Sequence, residues 1–193
     1  LELSASGEML LIAHQMLNEL AHTVRNDVHW GLLMSNDLRW LRLENVIKGG
    51  EEMYTGAHMH PLGEAGSATG DPTGMVMTKD GTVVVILGGV GEIAYGQEDD
   101  FSLQRIKVGL RPMDIVVASA EDKIYVANML SDSISVVSLQ DQQSTQIPLG
   151  PQGTWTEVDR GERLFFNAKL SHDGWMSCHS CHTDGHTNGL LND

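Results

Sequence analysis

A mainly β chain, built of repeated short-stranded units and ending in a short helical segment, is what this sequence predicts from three observations. The first is a repeat. Residues 77–87 form a polar turn through Lys79-Asp80-Gly81 followed by the apolar run Val83-Val84-Val85-Ile86-Leu87. Residues 118–128 repeat it, ending in Ile124-Tyr125-Val126-Ala127-Asn128. Asp71-Pro72 precedes one copy and Arg111-Pro112 the other, 40 residues apart, and each copy closes on a further strand and a glycine, at 103–109 and 145–150. A period near 40 with about four short strands per unit is the pattern of β-propeller blades. The second observation is composition: 21 glycines and only 5% aromatic residues suit short strands joined by tight turns. The third is a change of character after Thr156, where a helical pattern replaces the alternating one.

The elements follow in order. Residues 3–13 give an earlier copy, with Ser4-Ala5-Ser6-Gly7 as the turn and Met9-Leu10-Leu11-Ile12-Ala13 as the strand. Good helix formers over 9–24 offer a helix instead, but alignment with the other copies favours the strand. Trp30-Gly31-Leu32-Leu33-Met34 and Leu38-Arg39-Trp40-Leu41-Arg42-Leu43 read as a hairpin turning at Ser35-Asn36-Asp37. Gly7 and Gly81 are 74 residues apart, well beyond one blade, so a glycine-rich insertion is expected over 45–71. In the third copy, Ser133-Ile134-Ser135-Val136 alternates with period 2, as a half-buried strand requires.

In that third copy, Arg111-Pro112-Met113-Asp114-Ile115-Val116-Val117, then Tyr125-Val126-Ala127-Asn128 and Asp132-Ser133-Ile134-Ser135-Val136-Val137, resembles the YVTN family of β-propeller repeats. Residues 1–153 accommodate an incomplete set of about 3 to 3.5 blades. Propellers close with at least four, because an open set leaves unpaired edges. The remaining blades are expected from chain outside this stretch or from another copy.

The helical pattern leads to the chemistry. Glu162, Leu164, Phe165 and Ala168 give an amphipathic face with Asp159 as its expected N-cap. Beyond it lies Ser177-Cys178-His179-Ser180-Cys181-His182, a C-x-x-C-H motif that holds the chain's two cysteines. Thiols three positions apart sit about one helical turn from each other and reach the two vinyl groups of one porphyrin. The following His182 then aims at the iron as proximal ligand, so the motif reads as the covalent attachment site of a haem c. A two-Cys two-His zinc site drawn from His172, His179, His182 and His186 is the competing reading.

Gly161-Glu162-Arg163-Leu164-Phe165-Phe166, Leu170-Ser171, Asp173-Gly174 and the C-x-x-C-H motif together resemble the first haem-binding region of the bacterial dihaem cytochrome c peroxidase and MauG family. His186-Thr187-Asn188-Gly189 resembles that family's Phe-Thr-Asp-Gly turn, with one residue fewer before it and His for Phe. The likeness covers roughly the last 35 residues and assigns 154–193 to the beginning of a c-type cytochrome domain. It implies redox work, either electron transfer or peroxide reduction. The family's second C-x-x-C-H is absent from this sequence, and its catalytic pair of haems is not carried over. The competing function is non-enzymatic: a surface or periplasmic propeller scaffold for a protein partner, with the haem a relay or missing.

A distal iron ligand or a separate metal site has candidates in His58 and His60, which point the same way in extended chain, with Met59 between them. A solvent-facing or packing role is the commoner fate of such a pair. His186 is a third candidate, as a ligand, a propionate partner or a turn cap. Gly89-Val90-Gly91-Glu92-Ile93-Ala94 matches a dinucleotide-binding fingerprint, but a turn rather than a helix is expected at 95–100, and its acids would repel a pyrophosphate.

A net charge of −14 counts against nucleic acid and anionic membrane surfaces and suits a basic redox partner or electron donor. No run of 18 apolar residues occurs, so no membrane span is expected. Covalent haem attachment takes place outside the bacterial cytoplasm, which predicts a periplasmic, extracellular or cell-surface protein.

Overall fold

A computed structural model describes residues 1–100, 102–118, 123–151, 153–187 and 189. The polar turn read at 119–122 and the Asn188 of the C-terminal turn lie outside the described residues. The chain is mainly β, with three four-stranded antiparallel sheets, each a meander of consecutive strands. The first comprises β1 (Glu2–Leu3), β2 (Met9–Leu17), β3 (Met34–Arg42) and β4 (His58–Pro61). The second comprises β5 (Pro72–Met77), β6 (Val83–Leu87), β7 (Glu92–Gly96) and β8 (Gln104–Lys107). The third comprises β9 (Pro112–Ala118), β10 (Lys123–Asn128), β11 (Ser133–Ser138) and β12 (Gln143–Pro148). Three blades stand at the lower end of the expected range.

The blades stack face to face, with β2 against β5 and β5 against β9. The middle sheet explains its own sequence. Val83, Val85 and Leu87 pack with Leu11, Leu38 and Trp40 of the first blade, whereas Val84 joins Ile124, Val126 and Val137 of the third. Both faces of β6 are therefore covered, and its five residues are an unbroken apolar run for that reason.

The first blade departs from expectation in three ways. Residues 9–17 are a strand, as favoured, but β3 runs without a turn through Ser35-Asn36-Asp37, paired with β2 from Met34↔Leu17 to Arg42↔Met9. These polar residues mimic a turn in sequence, yet Asn36 and Asp37 are buried. Asn36 donates to the carbonyls of Thr69 and Trp175, and Asp37 accepts from the Ser35 hydroxyl at 2.7 Å. The expected hairpin is replaced by α1 (Arg25–His29) leading into β3. Nor is the stretch 45–71 wholly loop. It includes most of α2 (Leu43–Lys48), a 3₁₀ turn over Gly50–Tyr54, and β4, which pairs His60 with Leu38 and His58 with Trp40. Glycines at 49, 50 and 56 take positive φ around the 3₁₀ turn and let the chain return as this fourth strand.

After the blades comes α3 (Glu157–Phe165). Its N-cap is Thr156, not Asp159. The Thr156 hydroxyl accepts from Asp159 N–H at 3.2 Å, and the Asp159 carboxylate accepts from Thr156 N–H at 2.7 Å. This reciprocal box needs the short hydroxyl outside the helix and the acid three residues inside it. Asp159 sits below the usual carboxylate range because of those bonds from Thr156. Ala168 falls beyond α3, in a separate 3₁₀ turn. Among the described residues no helix is long and apolar enough to cross a membrane.

Candidate haem site

The C-x-x-C-H motif is carried by α4 (Cys178–Cys181), a single turn. Two residue pairs with spacing three define two adjacent faces of that turn. Cys178 and Cys181 form one face; Cys178 is exposed and Cys181 is partly so. Ser177, just before the helix, and Ser180 form the other. Both serine hydroxyls donate to the Asp71 carboxylate, each at 2.5 Å, Ser177 to Oδ2 and Ser180 to Oδ1. Ser177 N–H donates to Ser180 Oγ at 2.9 Å, which fixes the turn.

Asp71 is the centre of this arrangement. It is held at φ 54°, in the left-handed region, immediately before β5, and Arg111 takes φ 49° at the equivalent place before β9. Their side chains are each only 2% exposed, and Arg111 Nη1 meets Asp71 Oδ2 at 3.2 Å. Gln15 donates to Asp71 Oδ1 at 3.2 Å. The carboxylate thus accepts from the first blade, from the start of the third and from both serines. That set offsets the cost of burying a charge. Burial depresses the Arg111 guanidinium from its ordinary value, while Asp71 opposes the shift.

Arg111 also reaches the motif directly. Its guanidinium lies over the Phe166 ring, 4.3 Å from the centroid, and its Nη2 is 3.3 Å from His179 Nδ1. Arginine only donates, so His179 Nδ1 accepts and the ring is neutral. Burial, then the Arg111 charge, pulls the His179 pKa down accordingly.

Further contacts seat the segment on the same end of the blades. Ala168 is fully buried and donates its N–H to the Gly89 carbonyl at 2.9 Å. A Cβ added at Gly70 or Gly89 would stand 2.6 or 2.8 Å from the Ala168 methyl, so both positions need glycine for this close approach. The turn at 88–91 is thus a socket for Ala168, and β7 follows it where a dinucleotide site requires a helix. Trp175 is buried, and its indole donates to the His29 carbonyl at 3.1 Å.

His182 is exposed, and its Nδ1 lies 3.0 Å from the His186 carbonyl. A carbonyl only accepts, so Nδ1 carries the hydrogen, and in the neutral ring the lone pair is then on Nε2. This is the tautomer that a metal-bound histidine takes when its other nitrogen is held by a backbone carbonyl. His186 enters through its main chain, and its own ring is exposed. Burial, then the Asp71 charge, raises the Cys181 thiol above its ordinary pKa. Among the described residues, the three-ligand convergence of His, Cys, Asp and Glu is elsewhere and includes neither cysteine. The donor set fits a covalently held haem: Cys178 and Cys181 would hold it and His182 Nε2 would take the iron.

His58 and His60 project from β4 and meet each other at 5.6 Å between ring centroids. His58 stacks on Trp40 and lies 3.5 Å from Glu98. His60 is buried, and its Nδ1 accepts from the Trp40 indole at 3.0 Å, with burial and then His58 lowering its pKa. Their described contacts are thus within the first blade and with Glu98, whereas the motif's are with Asp71, Arg111 and Phe166. The serine pair and Asp71 escaped the sequence reading. The recurring spacing of Ser177-Cys178 and Ser180-Cys181 was the available signal.

Residues 156–190 match the model of a family described as di-haem cytochrome c peroxidase. Among solved structures, the chain is similar to hydrazine synthase of Kuenenia stuttgartiensis, at 18% identity and a TM-score of 0.58, over 70% of this chain and 43% of that one. It is also similar to a streptogramin B lyase, at 17% identity and a TM-score of 0.45, over 60% of this chain and 34% of that one. Virginiamycin B lyase from Staphylococcus aureus follows at 13% identity and 0.42, over 58% and 38%. The likeness to the first shows a shared β-propeller-like fold. This chain spans less than half the length of each of the three. No curated protein matches it.

Proposed function

We propose that this chain presents a covalently held haem c on one end of a β-propeller, in an exported redox protein that transfers electrons or reduces peroxide. The observation that carries the reading is the two-faced turn at 177–182. Its serine face is anchored to a buried carboxylate, while Cys178 and His182 stay exposed and His182 keeps Nε2 free. The match of 156–190 to the di-haem peroxidase family supports it from the sequence side.

A bound haem supplies one-electron chemistry at iron. The chain's own residues bind and orient. Cys178 and Cys181 would hold the haem through their sulfurs, and His182 would offer a nitrogen to its iron. The His186 carbonyl holds that imidazole in one tautomer, and Asp71 with Arg111 keeps the whole turn in register with the blades. The propeller serves as a rigid platform for an electron donor, and a net charge of −14 favours a basic one. Covalent attachment requires export, so the periplasm or cell surface is the proposed location.

The test is expression of the chain with an export leader and haem-attachment machinery, followed by intact mass, a pyridine haemochrome spectrum and peroxide assays. Covalent haem with donor-dependent peroxide turnover above that of free haem, lost in His182→Ala, supports peroxide reduction. Covalent haem that reduces reversibly but whose low-spin spectrum ignores peroxide supports electron transfer. A chain processed by active machinery that gains no haem sinks the proposal.

A further inference from the structure

A second set of ligand-type side chains gathers away from the thioether motif. His29 ends α1, in the connection between β2 and β3, and His172 and Asp173 occupy the turn ahead of Trp175. One ligand atom from each lies within 4.8 Å of the others. His29 Nδ1 is 2.5 Å from Asp173 Oδ2, and His172 Nε2 is 3.7 Å from the same oxygen. The two imidazoles are 5.6 Å apart between centroids.

We propose that His29, His172 and Asp173 bind a divalent transition-metal ion of the zinc class, tying the first blade to the C-terminal segment. Two imidazoles and one carboxylate are a ligand set that suits zinc, with a fourth position left to solvent. A simple ion pair between His29 and Asp173 explains one histidine. It holds His172 less closely, at an ion-pair distance from the same carboxylate but beyond hydrogen-bond reach. Two ligands of one tetrahedral ion at about 2.0–2.1 Å stand roughly 3.3–3.4 Å apart, so the His172 separation is already near a coordinating one. The His29 contact must open by less than about 1 Å to admit the ion.

The supports allow that movement on one side and resist it on the other. Asp173 is the fixed member, since its carbonyl accepts from Ala68 N–H at 3.1 Å. The His29 side chain is 36% exposed, at the end of a five-residue helix, with the Trp30 ring edge-on at 4.9 Å. His172 is 35% exposed. None of the three ligands belongs to the haem motif, so the site stands whether or not haem is attached.

The test uses the full chain with Cys178 and Cys181 occupied by haem, or alkylated so that they cannot take up metal. Zinc is titrated calorimetrically, and cobalt(II) is followed by its visible absorption. The expected result is one ion per chain, bound about tenfold or more weakly by His172→Ala and by Asp173→Asn. Zinc also raises the unfolding midpoint of the parent chain but not of His172→Ala, whose fold is checked by circular dichroism. Absence of saturable binding overturns the proposal. So does binding that survives His172→Ala and His29→Gln unchanged, or that is lost instead on replacing His58 and His60.

Discussion

The face between blades and the face between the blades and the C-terminal segment are built on opposite principles. Between blades the contacts are aliphatic: Val83, Val85 and Leu87 on one side, with Val84 on the other, are fully buried among Leu11, Leu38, Val126 and Val137. Under the C-terminal segment the contacts are polar and small. Two serines on the Asp71–Arg111 pair, which with Gln15 also links the three blades at this end, and glycines that admit Ala168 do the joining. Apolar packing is non-directional and adapts to volume-conserving change. A buried ionic network depends on every member, because losing one strands the others without water. Blade packing should therefore yield gradually and the joint abruptly.

The largest effect is expected at the joint. Arg111→Ala leaves the Asp71 carboxylate buried without its cation and should cost about 3–5 kcal/mol in urea unfolding, with the C-terminal segment becoming protease-sensitive. A loss under about 1 kcal/mol would remove the contrast. In the blades, Leu87→Ala should cost about 2–5 kcal/mol, but the more conservative Leu87→Met less than about 1.5 kcal/mol. If the methionine variant were as damaged as the alanine one, the claim of gradual yielding would fail. Gly70→Ala pushes a methyl against Ala168 and should cost about 1–3 kcal/mol, recovered in the double variant with Ala168→Gly. Failure of that rescue would mean the socket does not set the spacing. Thr156→Ala removes one half of the α3 capping box and should cost about 1 kcal/mol.

Acidification is the gentlest probe. His60 and His179 both have pKa values below the ordinary 6.5 in the folded chain, mainly through burial. The unfolded chain then takes up protons first, so their contribution is full above about pH 6.5 and is lost as pH falls below it. His179→Gln should flatten the part of that pH dependence belonging to the joint, and His60→Gln the part belonging to the first blade. An unchanged profile in both would show that neither ring is held neutral by folding.

Much of the blade architecture could be read from residues alone, because β-structure writes its burial into short-range pattern. The run from Val83 to Leu87 and the alternation at Ser133-Ile134-Ser135-Val136 follow from which faces are covered. The first blade was harder. Ser35-Asn36-Asp37 carries turn-like residues inside a strand, and the buried Asn36 finds its acceptors at the distant carbonyls of Thr69 and Trp175. The fourth strand, His58 to Pro61, is hidden behind glycines that look like loop until its partner Leu38 is placed beside it.

The site divides in the same way. The C-x-x-C-H spacing of Cys178, Cys181 and His182 is recognisable at once, since it is local and chemically constrained. Asp71-Pro72 and Arg111-Pro112 were visible too, but only as marks of a repeat. That their side chains carry opposite charge and meet each other, and that two serines beside the cysteines complete the set, follows from contacts spanning from 40 to 109 residues of chain. The His29, His172 and Asp173 cluster is of the same kind, joining residues 144 apart. The sequence by itself determined the repeat, the helical ending and the C-x-x-C-H motif, because each is written in neighbouring residues. Only the tertiary structure decided what that chemistry rests on, because a buried charge finds its partners by position in space and leaves no local trace.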